Sequence, residues 1–286
     1  MTHCPPAGNF HRVDYLEYYK LREHPFSNVV DSRFYYNSHL HSDSMLKLKY
    51  AVDTRKGLAV VIGGIGTGKT TLARRFLEEL DEKTYEAALL VVVHSSVSSE
   101  WLFKKLAIQL GVRDVKENKV ELLSQIYRRL HEIIEEKKTA VVMIDEVQML
   151  NSREIMEEFR GLLNMEMPGG KMINIVFFGL PELENVLSLD EPLKQRVAVK
   201  IRLKEFSEKD TGDYIKHRLS VAGSSREIFS EEAVRFIFGC TNGTPRLINT
   251  VCDNALLEGY LSKAEAIESS VIRTVAVDLG LNSGKE

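Results

Sequence analysis

A glycine-rich segment about one quarter of the way along the chain has the residue types and spacing of a phosphate-binding loop. It reads Gly63-Gly64-Ile65-Gly66-Thr67-Gly68-Lys69-Thr70, which fits the pattern GxxxxGK[ST], and Thr71 follows. Glycines leave backbone N–H groups free to surround phosphates, and a helix N-terminus adds positive potential there. We predict that these residues bind a nucleotide, that Lys69 reaches its β- and γ-phosphates, and that the Thr70 hydroxyl binds Mg²⁺.

A second candidate group is the acidic pair Asp145 and Glu146, which follows the apolar run Val141–Ile144. Carboxylates in this position lie at the edge where α/β sheets place ligands. We predict that Asp145 helps to hold Mg²⁺ and that Glu146 orients and deprotonates the attacking water. The adjacent glutamate favours a hydrolase over a kinase. Gln148 is a candidate sensor of the γ-phosphate, and a solvated loop amide is an equally good interpretation.

Two arginines complete the candidate site. Arg196 precedes the last predicted strand, and its predicted role is that of an arginine finger that enters the nucleotide site of a neighbouring subunit. Arg246 opens a helix in the C-terminal part of the chain, and its predicted role is to contact the γ-phosphate and report the nucleotide state. A surface arginine and a surface salt bridge, respectively, are the alternative interpretations.

Alternating strands and helices would position these residues. Short apolar runs predict buried strands, and the stretches between them predict helices, the second of which we expect Ser99 to cap. The predicted strands are Leu58–Ile62, Ala87–Val93, Ala140–Ile144, Met172–Phe178 and Val197–Leu203. The predicted helices span about residues 69–80, 99–110, 119–136, 152–166 and 181–189. This alternation indicates an α/β fold with a parallel sheet covered on both faces.

The strand pattern stops near residue 205 and helical signals follow. Ser207 begins a capping box, Ser230 precedes a second helix, and Thr244-Pro245 begins a third. A fourth helix is predicted over Ala264–Leu279.

We therefore expect three parts in the chain. Residues 1–44 form an aromatic-rich segment that packs on the core, residues 45–205 form the nucleotide-binding α/β domain, and residues 206–286 form a small all-helical domain.

Composition excludes several classes of protein. The chain has 38 basic and 41 acidic residues, a formal charge of −3, which argues against a dedicated polybasic nucleic-acid binder. Its longest apolar run, Ala87–Val93, is far short of the roughly 18 residues of a membrane helix. Three cysteines without a CxxC pattern support neither a disulfide framework nor a zinc site. We expect a cytoplasmic protein without direct membrane insertion, whose membrane role would come through a partner.

In their order, these motifs resemble those of AAA+ ATPases, and the chain as a whole resembles the ExeA/GspA-type secretion ATPases over about residues 15–280. Several segments carry the second resemblance, and those at residues 179–183, 195–196 and 243–249 are more specific than the two nucleotide motifs. They are His24-Pro25-Phe26, Arg33-Phe34-Tyr35, Asp145-Glu146-Val147-Gln148, Leu162-Leu163-Asn164-Met165-Glu166, Gly179-Leu180-Pro181-Glu182-Leu183, Gln195-Arg196 and Gly243-Thr244-Pro245-Arg246-Leu247-Ile248-Asn249.

The resemblance implies a P-loop core of three α/β/α layers followed by a helical lid, with ATP and Mg²⁺ as ligands. It also implies a ring or higher oligomer with catalytic sites between subunits, and a membrane-associated or envelope protein as partner. Leu180 departs from the pattern, because relatives often carry a polar residue there. Hydrolysis is then expected to be slow, or Asn164 or Gln148 substitutes. Relatives also continue into a transmembrane segment and a peptidoglycan-binding domain, whereas this sequence stops at Glu286.

Two functions remain open on the sequence. The first is an ATP-hydrolysing motor that assembles or remodels an envelope complex. The second is a nucleotide-switched DNA-binding adaptor of the transposon target-selection or initiator type. The apolar Leu180 favours the adaptor, and the acidic net charge disfavours it.

Overall fold

The computed structural model describes residues 15–281, which divide into two compact units. The α/β unit spans Val30–Glu205. The helical unit combines residues 15–29 with residues 206–281. The sequence pattern predicts one segment, residues 1–44, that packs on the core. The described part of that segment is instead divided between the units at Val29 and Val30, and residues 1–14 lie outside the described residues.

The α/β unit is built on a five-stranded parallel sheet with the strand order β2-β3-β6-β1-β7. The strands are β1 (Leu58–Gly63), β2 (Tyr85–Val91), β3 (Thr139–Asp145), β4 (Glu166–Met167), β5 (Gly170–Lys171), β6 (Ile173–Gly179) and β7 (Val197–Leu203), of which β4 and β5 form a separate hairpin. Parallel register aligns Leu58 with Ile175 and Ile62 with Gly179, so β1 and β6 end together.

Twelve helices accompany these strands in the described residues. They are α1 (Tyr15–Tyr19), α2 (His39–Asp53), α3 (Lys69–Glu79), α4 (Ser99–Gln109), α5 (Lys119–Glu135), α6 (Arg153–Leu162), α7 (Leu183–Leu187), α8 (Glu191–Lys194), α9 (Glu208–Val221), α10 (Glu231–Thr241), α11 (Pro245–Leu261) and α12 (Ser269–Asp278). Two 3-10 turns, Ser32–Phe34 and Val147–Met149, lie beside the candidate site. Within residues 15–281, no helix combines the length and apolar character needed to cross a bilayer.

The sheet has a hydrophobic core on each face, because successive side chains of a strand point to opposite sides. Leu58, Val60 and Ile62 of β1 pack on the face covered by α4, α5 and α6. Ala59 and Val61 pack on the face covered by α2 and α3. The central strands β1, β3 and β6 are therefore largely apolar, with Asn174 and Asp145 as their buried polar residues. The predicted three-layer α/β/α fold with a parallel sheet is confirmed.

Several predicted boundaries are wrong for local reasons. Ser98, not Ser99, caps α4: its hydroxyl accepts from the Trp101 N–H at 3.2 Å, whereas Ser99 Oγ donates to Glu154 at 2.7 Å. The helix expected over residues 152–166 ends at Leu162, because the β4–β5 hairpin follows it. Gly169, with a φ of 107°, lies in the turn of that hairpin, a backbone conformation that favours glycine.

The helical unit begins as the capping signals predict. Ser207 and Asp210 form the expected capping box, and Ser230 caps α10. Pro245 is the first residue of α11. The last helix, however, begins at Ser269 rather than Ala264, because Ile267 pairs with Phe229 in a β-bridge and donates its N–H to Ile228 O at 2.7 Å.

Residues 15–29 pack on this unit through buried aromatic rings and a polar network. Tyr19 and Phe26 are fully buried, and the Tyr15 hydroxyl donates to Asp253. The Arg218 guanidinium donates to the backbone carbonyl groups of Pro25 and Ser27. The aromatic residues of the segment thus fold as part of the helical unit, with the arginine satisfying the segment's carbonyls.

Candidate nucleotide-binding site

The glycine-rich segment connects β1 to α3, which is the strand–loop–helix context that the motif requires. Gly68 forms the N-cap of α3 with a φ of 96°, in the left-handed region. A Cβ atom at Gly63 would lie 2.7 Å from Thr67 Oγ1 and 2.9 Å from the Leu203 carbonyl oxygen. Glycine at these positions is therefore a steric requirement of the loop, and the loop leads directly into the helix N-terminus.

Lys69 lies across the loop with its side chain buried. Its Nζ donates to the carbonyl oxygens of Gly63, at 3.0 Å, and Gly64, at 2.8 Å. Thr67 closes the same turn, because its hydroxyl donates to Gly64 O at 2.9 Å. A buried ammonium in contact with neutral carbonyls is a strong anion-binding group, so the loop fits nucleotide phosphates.

Thr70 and Asp145 meet beside the loop. The Thr70 hydroxyl donates to Asp145 Oδ2 at 2.6 Å, and the Glu146 N–H donates to Asp145 Oδ1 at 2.9 Å. Asp145 is fully buried at the end of β3. Burial raises the pKa of its carboxyl group, and the two hydrogen bonds oppose that rise. A hydroxyl and a buried carboxylate are hard oxygen donors, so these two residues fit Mg²⁺.

Glu146 follows with its backbone in the left-handed region, at a φ of 61°. This conformation is costly for a non-glycine residue and concentrates at functional sites. The Glu146 carboxylate accepts a hydrogen bond from the Gln148 side-chain amide. The Gln148 side-chain oxygen in turn accepts from the backbone N–H of Leu180 at 3.1 Å.

The ends of three neighbouring strands therefore carry the predicted groups. Gly63 ends β1, Asp145 ends β3 and Gly179 ends β6, and β6 lies between the other two in the sheet. Leu180 follows Gly179 with a half-buried apolar side chain, so its backbone N–H rather than its side chain takes part in polar contacts here. The sequence motifs predicted each group, but not the contact of Gln148 with both Glu146 and Leu180.

Arg196 does not extend freely from the surface. Its Nη1 donates to the carbonyl oxygen of Arg160 at 3.0 Å, and Arg160 Nε pairs with the buried Asp190 at 3.0 Å. The role of Arg160 was not predicted from the sequence, since an arginine on an amphipathic helix carries no distinctive signal. Arg246 is exposed in the first turn of α11, in the helical unit.

A second group near the loop comes from the first turn of α2 and the residues just before it. The His41 ring is buried and its Nδ1 is 2.8 Å from Ser38 Oγ. A Cβ built at Gly68 would lie 3.4 Å from its Nε2. The Tyr35 ring meets His41 edge-on at 5.6 Å, and burial raises the pKa of the Tyr35 hydroxyl to about 12. No motif pointed to His41 as a neighbour of the loop.

Known sequences are similar to this chain over much of its length. A family model described as an AAA domain matches residues 52–187. General secretion pathway protein A of Aeromonas hydrophila is 30% identical over 268 residues, which are 93% of this chain and 48% of that protein. The chain thus spans about half the length of that curated relative.

Solved structures share the fold at low sequence identity. The ORC2 protein of Aeropyrum pernix matches with a TM-score of 0.69 and 13% identity, over 90% of this chain and 71% of that chain. Cdc6p of Pyrobaculum aerophilum matches with a TM-score of 0.67 and 19% identity, over 89% and 70%. A structure of Drosophila ORC bound to DNA matches with a TM-score of 0.67 and 16% identity, over 99% and 70%.

Proposed function

We propose that this chain, which belongs to the AAA+ ATPase family and resembles its ExeA/GspA branch, binds Mg²⁺-ATP and hydrolyses it. One observation carries the proposal: the Lys69 ammonium, the Thr70–Asp145 pair and Glu146 gather at one edge of the parallel sheet. A structural glycine turn would need neither a buried lysine on its carbonyls nor a buried aspartate beside it.

Each residue then has a role in phosphoryl transfer. The loop N–H groups and the N-terminus of α3 hold the phosphates, and Lys69 exchanges its carbonyl contacts for the β- and γ-phosphate oxygens. Thr70 and Asp145 would hold Mg²⁺, which neutralises charge on those oxygens. Glu146 orients the attacking water and accepts its proton. Thr71, in the first turn of α3, lies beside the phosphate-binding loop.

The shared catalytic site remains part of the proposal. Arg196 would serve the nucleotide of a neighbouring subunit after leaving the Arg160 carbonyl. Arg246 would report the nucleotide state from the helical unit. Direct contact between Gln148 and the γ-phosphate stays a prediction.

For its cellular role, we propose ATP-driven assembly or remodelling of an envelope complex, with peripheral attachment to the membrane through a protein partner. The similarity to General secretion pathway protein A supports this role. The alternative is a nucleotide-switched DNA adaptor, and the apolar side chain of Leu180 at the end of β6 favours it, because slow hydrolysis suits a switch.

Two variants test the ATPase proposal directly. Glu146→Gln keeps the shape of the side chain and removes the base, so we expect ATP binding within about threefold of wild type and turnover lowered by about 10²–10⁴-fold. Lys69→Ala should lose both binding and turnover. Glu82→Gln, an exposed glutamate in the same unit, is the control. Normal turnover by Glu146→Gln would show that another residue is the base.

A further inference from the structure

Gln148 bridges the candidate base and the end of β6. We call this contact the Gln148 bridge: the side chain of Gln148 donates to Glu146 and accepts from the Leu180 N–H. The 3-10 turn Val147–Met149 directs Gln148 back toward the sheet, and the left-handed backbone of Glu146 begins that turn. The bridge thus joins the ends of two adjacent strands, β3 and β6.

The chemistry of the partners fixes the orientation of the Gln148 amide. The Leu180 N–H can only donate, so the side-chain oxygen of Gln148 must face it. The amino group must then face Glu146, whose ionised carboxylate can only accept. Reversing the amide would put donor against donor and acceptor against acceptor. The surrounding groups therefore specify a donor aimed at the carboxylate.

Gly179 leaves space for the side-chain amide of Gln148. A Cβ atom at Gly179 would lie 2.8 Å from Gln148 Oε1, and 3.0 Å and 3.2 Å from two atoms of Leu183. Any side chain at position 179 would displace the Gln148 oxygen or push against Leu183. The absence of a side chain at Gly179 thus opens the space that the Gln148 amide fills.

We propose that Gln148 is a positioning residue that acts on hydrolysis through Glu146. This inference rests on the proposed ATPase function and deepens it. The side chain of Leu180 has no hydrogen-bond donor. Gln148, in the turn after β3, supplies one and fixes the position of the Glu146 carboxylate. The bridge also ties the position of Glu146 to the end of β6. Gln148 then affects the chemical step rather than the binding of nucleotide.

Kinetics of the full chain separate this role from direct contact with the nucleotide. In Gln148→Ala we expect kcat to fall by about 10- to 100-fold, part of the effect of a general base, with ATP affinity within about threefold of wild type. Gln109→Ala, at the exposed end of α4, is the matched control for this variant. A parallel loss of ATP affinity, or an unchanged kcat in Gln148→Ala, would overturn the proposal.

A stability cycle tests the same contact without any turnover. Gln148→Glu keeps the acceptor for Leu180 and places a second carboxylate against Glu146. We expect its Tm to lie about 2–4 °C below that of Gln148→Ala, because the two carboxylates repel each other. In a Glu146→Gln background, Gln148→Glu should instead be at least as stable as Gln148→Ala, because the charge repulsion is gone and the contact with the Leu180 N–H remains. Gln109→Glu, at the exposed end of α4, controls for the added charge.

The two experiments distinguish rejection of the Gln148 bridge from rejection of the proposed ATPase function. A lower Tm of Gln148→Glu that persists in the Glu146→Gln background shows that Gln148 and Glu146 do not interact, and it rejects the bridge. Absence of ATP binding and turnover in the wild-type chain rejects the proposed ATPase instead, and the stability cycle still decides whether the contact exists.

Discussion

At the scale of single residues, the candidate site depends on a buried carboxylate whose neighbours are hydrogen-bond donors. Asp145 accepts from the Thr70 hydroxyl and from a backbone N–H, so both of its oxygens are satisfied inside the α/β unit. An asparagine has almost the same shape, and its amino group can donate to Thr70, whose hydroxyl then serves as the acceptor. Charge is therefore the main property that Asp145→Asn removes.

We expect Asp145→Asn to fold with a Tm close to that of wild type and to lose Mg²⁺-dependent turnover by at least about 10²-fold, because metal stabilisation of the transition state is worth several kcal/mol. Titration of ATPase activity with Mg²⁺ measures the second effect and thermal unfolding the first. Asp213→Asn, at an exposed position on α9 in the helical unit, controls for loss of an acidic side chain. Full activity in Asp145→Asn would remove Asp145 from the metal site.

The sequence predicted these residues because their chemistry is local. Phosphate binding needs consecutive glycines followed by lysine, and such a run is visible without a structure. The Gln148 bridge and the closeness of His41 to Gly68 depend on groups that lie far apart in the chain, and no local pattern encodes them. Arg160 is hidden for the same reason, since its partner Asp190 lies beyond the hairpin and β6.

At the scale of elements, the central strands β1, β3 and β6 were predicted most reliably, because burial on both faces makes them nearly continuous apolar runs. The partly exposed strand β2 covers Tyr85–Val91 instead of the predicted Ala87–Val93. Helix ends were predicted less reliably. Adjacent serines compete to cap α4, and a short hairpin replaces the expected last turn of α6. The start of α12 is set by the pairing of Ile267 with Phe229, a tertiary contact.

Residues 15–29 join the helical unit through a buried polar network that the sequence did not reveal. Arg218 donates to Ser27 O at 2.9 Å and to the Tyr214 hydroxyl at 2.8 Å. Tyr214 donates to Asn249, which in turn donates to Asn28 at 3.1 Å. This network explains why a motif asparagine on α11 matters to a segment more than 200 residues earlier in the chain.

We expect Arg218→Ala to destabilise the helical unit by about 2–4 kcal/mol, because it leaves buried carbonyl groups without donors. The rate of thiol labelling measures this loss of stability within the helical unit. Cys240 and Cys252 are buried in that unit, and burial raises the pKa of Cys240 to about 11. At pH 8 about one Cys240 thiol in a thousand is then ionised, so labelling requires opening of the unit.

A Cys4→Ser background leaves Cys240 and Cys252 as the two thiols of the chain. When opening of the unit is fast compared with the labelling reaction, Arg218→Ala should accelerate their labelling by about 30- to 1000-fold. Arg235→Ala, an exposed arginine on α10, should label at the parent rate. Equal labelling of Arg218→Ala and its parent would show that the network adds nothing to stability.

At the scale of the whole molecule, the proposed catalytic site is incomplete without a second copy of the chain. Arg196 is held on the carbonyl of Arg160 in its own subunit, and its proposed target is the nucleotide of a neighbour. Net charge and composition cannot reveal such an arrangement, because a shared site depends on how copies assemble. Turnover per subunit should therefore rise with protein concentration.

Complementation between two inactive variants distinguishes a shared site from a self-contained one. Arg196→Ala should bind ATP normally and turn over about 10³–10⁵-fold more slowly, the range of known arginine fingers. Lys69→Ala should not bind ATP but should keep its Arg196. A mixture of the two should recover turnover, because the nucleotide of one variant can then meet the arginine of the other.

The same assay should be repeated with double-stranded DNA, because the dependence of turnover on DNA distinguishes the two proposed cellular roles. Recovery in the mixture that is independent of DNA supports an assembly motor with shared sites. Recovery that appears only with DNA at low salt, and is lost at high salt, supports the DNA adaptor instead, since phosphate contacts weaken steeply as salt rises. Arg202 is an exposed arginine on the edge strand β7, and its guanidinium pairs with Glu184. Arg202→Ala is the control and should behave as wild type throughout. If Arg196→Ala and Lys69→Ala stay inactive when mixed, with and without DNA, Arg196 does not complete a neighbour's site.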